Sequence, residues 1–249
     1  MDIKTSVQIA DCHVPFHDIK AFDLALDVIK DIDPDEIVLL GDFADFYTFS
    51  KFTPNPDSRV CAKEEREDIY KELRRIRKQH PKSKMIYICG NHEQRLVKRM
   101  SENPIFWGLT TIEDFLRLKE LNISFIPYGP NQKYHILGNE NLIAQHEPSS
   151  GGENHSRLTL KRNLCSNIYG HHHCYQRSEM ISRVGKKMFS VSIPCLANKD
   201  HLTMQYPKNH HQWSMGWGIT TIINNKTIIQ DIITIEDYKC VYGGFAYDS

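Results

Sequence analysis

Apolar and polar positions come in blocks along this chain. Five short apolar runs each stop in a polar cluster: "SVQIADCH" (residues 6–13), "EIVLLGDFAD" (36–45), "KMIYICGNHE" (84–93), "NLIAQHE" (141–147) and "NIYGHHH" (167–173). Runs of this length without a helical period read as buried strands, so the polar residues fall at their C-terminal ends. Between the early runs the period changes. Over residues 19–32, Phe22, Leu26, Val28 and Ile29 lie near one face of a helix, and the charged stretch 61–80 reads as a second helix stopped by Pro81. Strand and helix alternate, which predicts an α/β layered sheet. Later segments read as hairpins, 134–145 turning at Gly138 and Asn139 and 218–235 turning at Asn224 and Asn225. "PSSGGEN" (148–154) reads as an irregular loop, and no internal repeat stands out.

Composition bounds what such a fold can do. A chain of 249 residues, 40% of them apolar, fits one domain over residues 1–249 with an ample core. Lys plus Arg equals Asp plus Glu at 31 each, so no global positive field draws the chain to nucleic acid or to an anionic membrane. The basic clusters "RRIRK" (74–78) and "KR" (161–162) read as solvated helix faces. Seven cysteines, an odd number without CxxC spacing, argue against a disulfide framework and a thiolate zinc site, and fit a reducing cytoplasm. No signal-like leader and no long apolar window appears. The expectation is a cytoplasmic protein, in the host cytoplasm if the gene is carried by a phage. A homo-oligomer is compatible with the sequence.

The polar clusters carry the chemistry. They hold Asp11 and His13, Asp42 and Asp45, Asn91 and His92, His146, then His171 and His173. Strand C-termini in an open α/β sheet form the crevice where ligands bind, so these side chains can converge. Oxygen and imidazole donors suit manganese, iron, cobalt, nickel or zinc, and the lack of a consistent thiolate argues against a structural zinc knot. In extended backbone Asp11 and His13 share a face while Cys12 points away, and His171 and His173 share a face while His172 does not. Taken singly, Asp-x-His is an ordinary loop and Gly-Asp-x-x-Asp an ordinary turn.

In this order the fragments "DCH", "GDFAD", "GNHE", the histidine of "AQHE" and "GHHH" resemble the successive motifs of the calcineurin-like metallophosphoesterase family: DxH, GDxxD, GNH(D/E), H and GHxH. The resemblance spans residues 11–173. It implies a four-layer αββα sandwich and two divalent metal ions, manganese foremost, with iron, cobalt, nickel, zinc or magnesium as alternatives. Carried over by position, it places Asp11, His13 and His173 on one metal and Asn91, His146 and His171 on the other, with Asp42 bridging. His92 becomes the residue that meets the leaving group, with Asp45 as its carboxylate partner. A hydroxide bridging the metals would be the nucleophile. Gly90 would let the backbone come close. Arg95 reads as a contact for substrate phosphate or as a solvated helix residue.

The departures narrow the function. Family members that dephosphorylate proteins usually carry an arginine after GDxxD and another just before GNHE, where this chain has Phe46 and Cys89. His146 is followed by Glu147 where glycine is more usual. The implied activity is hydrolysis of small phosphate monoesters, foremost (deoxy)nucleoside 5′-monophosphates, with Asn91, His92 and Arg95 near the substrate. Size and pattern are also similar to bacteriophage-type deoxynucleoside-5′-monophosphatases. A phosphodiesterase or nuclease is the alternative, and a non-catalytic scaffold on the same fold the remote one. Aromatics that could stack on a base include Phe43, Phe46, Tyr47, Phe49, Phe52, Phe106, Trp107, Trp213 and Trp217.

Overall fold

The computed structural model describes residues 1–249 except 53–59, 130–133, 139–141 and 205–211. The first half alternates as its pattern predicts: β1 (Ile3–Ile9), α1 (Ile19–Ile32), β2 (Glu36–Leu39), α2 (Ala62–Gln79), β3 (Lys84–Ile88), α3 (Gln94–Glu102), the short α4 (Ile112–Phe115) and β4 (Ile123–Ile126). Strands β1 to β4 pair in parallel. Beyond β1 the sheet is extended antiparallel by the hairpin β10 (Met215–Ile223) and β11 (Thr227–Ile235). That hairpin turns at Asn224 and Asn225, whose φ of 50° and 54° are the left-handed values a tight two-residue turn requires.

A second sheet has the order β5 (His135–Ile136), β6 (Leu142–Gln145), β7 (Ser166–Tyr169), β9 (Lys187–Ser192), β8 (Gln176–Ile181). The β5–β6 hairpin forms as expected, with Ile136 opposite Ile143, although Asn139 of its turn lies outside the described residues. Helix α5 (His155–Asn163) packs on β7, β8 and β9. A small hairpin, β12 (Lys239–Tyr242) and β13 (Phe245–Asp248), follows.

Side-chain alternation stacks these elements. One face of the first sheet places Val7, Ile9, Ile37, Leu39 and Met85 in a core with Phe22, Leu26 and Ile29 of α1 and Ile69, Leu73 and Ile76 of α2. From the other face Val38 and Ile86, with Ala10, Leu40 and Ile88 just beyond the strand ends or at them, meet Leu142, Ala144, Ile168 and Val191 of the second sheet. The layers therefore run α, β, β, α. Among the described residues no helix is long and apolar enough to cross a membrane.

Helix α2 corrects one expectation from the charge pattern. Arg77 is not a solvated residue: its guanidinium donates to the carbonyls of Leu121, His80, Ser83 and Asn122 at 2.8–3.0 Å. Arg75 pairs with Asp23 of α1 at 2.6 Å. Planar five-donor geometry suits such a clamp on exposed loop carbonyls, and charge counting alone does not reveal it.

Candidate metal centre

The C-terminal ends of β1, β2, β3, β6 and β7 come together at the seam between the two sheets. Each delivers its polar residues by leaving strand geometry. Asp11, His13, Asp42, His171 and His173 all have positive φ, between 48° and 72°. Non-glycine residues rarely adopt this region, which costs on the order of 1–3 kcal/mol each. The alternation argument for Asp11 with His13 and for His171 with His173 is therefore superseded. Successive left-handed bends, not extended backbone, turn these side chains inward. His172 turns elsewhere and stacks on His155, ring centroids 3.9 Å apart. Gly90 admits no side chain: a Cβ there would lie 2.1 Å from Asp42 Oδ1 and 2.5 Å from the Asp42 backbone nitrogen. At Gly41, φ is 87° and a Cβ would lie 2.5 Å from His146 Nδ1.

Two donor groups result. In the first, His13 Nε2 lies 3.0 Å from His173 Nε2, which is 3.4 Å from Asp11 Oδ1. In the second, His146 Nε2 lies 3.1 Å from Asn91 Oδ1 and 3.3 Å from Asp42 Oδ2, and His171 Nδ1 is 2.9 Å from the same Asn91 oxygen. Asp42 also lies with His13 and His92 in a third group of close donor atoms, so it stands between the first two.

The outer hydrogen bonds test whether these groups fit a cation. His13 Nδ1 is 2.9 Å from Asp45 Oδ2, and His146 Nδ1 is 2.7 Å from the Leu40 carbonyl oxygen. Each Nδ1 must donate there, so in the neutral ring Nε2 presents a lone pair. Those lone pairs face a histidine nitrogen in one group and carboxylate and amide oxygens in the other. Around His146 acceptors converge on acceptors in a buried place, which requires a positive charge between them, and a ligating histidine held by a carboxylate or carbonyl is the usual arrangement. The donor set fits divalent cations.

Protonation follows the same field. Burial alone would lower His146, but Asp42, Asp11 and Glu93 raise it to about 10, so a proton can occupy the place of a cation. His13 goes the other way, to about 4, through burial and the neighbouring His92. His171 is likewise lowered to about 4 by burial and His146. Burial opposes ionisation of Asp42, yet His146 and His92 hold it well below the usual carboxylate range.

Beside the donors sit His92, Asp45 and Arg95. His92 Nδ1 is 3.0 Å from Asp45 Oδ2, the oxygen that also receives His13 Nδ1. Arg95 Nη1 donates to Asp45 Oδ1 at 2.9 Å, and its Nη2 lies 3.1 Å from His92 Nε2. Asp45 thus aligns three groups. Burial would raise its pKa, but His92 and His13 keep it far below the ordinary value.

Glu93 has a role that its place in the sequence does not disclose. Its buried carboxylate accepts from the backbone N–H groups of Gly90 (2.8 Å), Ala44 (3.0 Å) and Asp42 (3.1 Å) and from the Tyr87 hydroxyl (2.6 Å). It ties the loop after β2 to the loop after β3. The sequence signal was the acidic position that closes the GNH(D/E) pattern, directly after His92. Glu147, at the departure after His146, accepts from the Tyr128 hydroxyl at 2.7 Å.

A family model described as calcineurin-like phosphoesterase matches residues 5–175. Solved structures of similar shape include vacuolar protein sorting 29 from Cryptosporidium parvum, at 9% identity over 98% of this chain and 94% of that one, with a TM-score of 0.49. Another is Yfce, a phosphoesterase from E. coli, at 16% identity over 91% of this chain and 98% of that one, with a TM-score of 0.41. No curated protein matches the chain by sequence.

Proposed function

The chain belongs to the calcineurin-like phosphoesterase family, and from that premise we propose that it is a metal-dependent phosphomonoesterase whose substrates are nucleoside 5′-monophosphates. Asp11, His13 and His173 would hold one divalent cation and Asn91, His146 and His171 a second, with Asp42 shared. Such cations, when bound, supply charge against phosphoryl oxygens and make water a competent nucleophile near neutral pH. The observation that carries this reading is His146, whose Nδ1 is committed to the Leu40 carbonyl so that Nε2 of the neutral ring aims a lone pair at oxygens of Asn91 and Asp42.

The remaining side chains divide the work of handling the substrate. His92, with Nδ1 held by Asp45, accepts at Nε2 from Arg95 in the structure, and once Arg95 turns to the phosphate that nitrogen can carry the proton given to the departing ester oxygen. Arg95 is anchored through Nη1, and its Nη2 is beside the same nitrogen, within reach of a phosphoryl oxygen that enters there. Swinging toward that oxygen would uncover His92. Preference for a mononucleotide over a strand is supported by charge. A strand must have several phosphates neutralised by protein cations. This chain has no net positive charge, and two arginines of its longest basic cluster are engaged, Arg77 with carbonyls and Arg75 with Asp23 and Glu72.

Dialysis against a chelator, metal analysis and assay with 5′-AMP and with oligonucleotides test the reading together. The expected result is two equivalents of metal per chain when reloaded with manganese, with hydrolysis of 5′-AMP returning in step. Full turnover by metal-free protein refutes it, and cleaved oligonucleotides beside inert mononucleotides would make the chain a nuclease instead.

A further inference from the structure

One flank of the candidate centre opens onto rings that neither main core uses. Phe16, Cys195, Ala197 and Met204 form a small separate apolar cluster, and the half-buried Tyr47, Val60 and Trp213 pack against it. The cluster begins at the donors themselves. Trp213 meets His173 edge to face, with ring centroids 4.1 Å apart and planes at 77°. Phe16, three residues after His13, meets Tyr47 at 5.3 Å and His201 at 4.8 Å.

The half-buried rings of Trp213 and Tyr47 are held in place through the backbone. Ser214, next to Trp213, donates its N–H to the His173 carbonyl at 2.9 Å and accepts from the Tyr175 N–H at 2.7 Å. Tyr47 donates its N–H to Glu65 at 2.6 Å, and the Thr48 hydroxyl donates to the same carboxylate at 2.7 Å. Against Phe16 and Val60 lies a cavity of about 720 Å³, whose described lining also includes Pro15, Lys63, Glu64, Glu67 and Asp68. Its size is within the range of about 300–1,000 Å³ found for small-molecule sites.

Resting on the phosphomonoesterase reading, we propose that Trp213, Tyr47 and Phe16 form the subsite for the organic half of the substrate, and that it takes a flat, uncharged aromatic ring system such as a nucleobase. Three facts carry this. The rings adjoin the candidate centre, because Trp213 contacts His173 and Tyr47 is two residues after Asp45, the carboxylate that holds His92. Large π faces left half-exposed beside a polar centre gain most from a ligand that is itself flat. Finally, three carboxylates against one lysine at the cavity, Glu64, Glu67 and Asp68 against Lys63, disfavour any second phosphate on the ligand.

The test compares 5′-AMP with glycerol 3-phosphate, which carries the same phosphate and no ring. Binding to the manganese-loaded protein is measured by calorimetry and turnover by phosphate release, for wild type, Trp213→Leu, Trp213→Phe and Tyr47→Leu, with metal content checked in each. Wild type should bind 5′-AMP at least about tenfold tighter than glycerol 3-phosphate. Trp213→Leu should lose about tenfold for 5′-AMP and less than about twofold for glycerol 3-phosphate, with Trp213→Phe recovering most of the loss and Tyr47→Leu intermediate. Equal binding of the two probes by wild type, or equal losses for both in the metal-replete variants, overturns the subsite. If both esters are hydrolysed but bound alike, the phosphatase reading stands and the subsite fails. A preference for 5′-AMP in binding without hydrolysis of either ester has the opposite meaning.

Discussion

His92 is held from both sides: Nδ1 by Asp45, and Nε2 by the approach of Arg95. A ring fixed in this way is suited to proton transfer at one atom, and its loss should be felt according to how much the leaving oxygen needs a proton. His92→Asn should retain both metals yet lower kcat by roughly 10²- to 10⁴-fold for an alkyl phosphate, and by less for p-nitrophenyl phosphate, whose leaving group departs unprotonated. Equal losses for both esters would assign His92 to phosphate binding instead. Glu93 acts through others. Each of its oxygens accepts two hydrogen bonds, so in Glu93→Gln an amide NH₂ must face two donors. Manganese affinity measured by calorimetry should fall about 10- to 100-fold, as it does when partners of ligating groups are removed. Unchanged affinity in a folded Glu93→Gln protein would leave Glu93 no positioning role. Asp11, Asp42, Asn91 and His146 stood out in the sequence because each interrupts an apolar run. Glu93 closes the GNH(D/E) pattern, but its task was not legible there, because the backbone and tyrosine protons that it accepts are supplied only by the fold.

At the level of elements, the chain was most legible where one side-chain period ran uninterrupted. Helix α1 buries Phe22, Leu26, Val28 and Ile29, the residues its spacing places together. The hairpin β10–β11 turns at Asn224 and Asn225. The strand ends were less legible. Left-handed backbone at Asp11, His13 and Asp42 was not legible from residue type alone: Asp and His enter that region more often than most residues, but the surroundings decide which of them do. The division of β-strands between two sheets was also outside any local pattern, as it depends on which faces bury each other. Arg77 illustrates the same limit and gives a prediction. Its guanidinium satisfies carbonyls at the end of α2, before β3 and before β4, so Arg77→Ala leaves several acceptors without their donor. Unfolding in urea should show a loss of about 2–4 kcal/mol, from several hydrogen bonds at about 1 kcal/mol each. Activity per folded molecule should stay within about twofold of wild type. A variant as stable as wild type would show that water replaces the clamp at no cost.

Across the whole molecule the candidate centre joins the two halves of the sandwich. Asp11, His13, Asp42 and Asn91 follow strands of the first sheet, while His146, His171 and His173 follow strands of the second. Bound cations would therefore link the sheets directly, and whatever replaces them in metal-free protein decides how its stability depends on pH. His13 and His171, both lowered to about 4, are neutral at pH 7–8, whereas His146, raised to about 10, carries a proton. A group with a folded pKa near 10 and an unfolded value of 6.5 stabilises the fold fully below about pH 6.5, and that contribution is lost as pH rises toward 10. Metal-free protein should thus lose thermal stability across that interval. Protein saturated with manganese should melt higher, by an amount set by free metal over its dissociation constant, and should lack this part of the pH dependence because the cation has displaced the proton. Calorimetric titration with manganese near pH 8, repeated in buffers of different ionisation enthalpy, should report release of close to one proton from His146 per chain. His146→Gln should release none from that position, and release by this variant equal to that of wild type would place the displaced proton on another group and remove His146 as the residue that substitutes for the metal's charge.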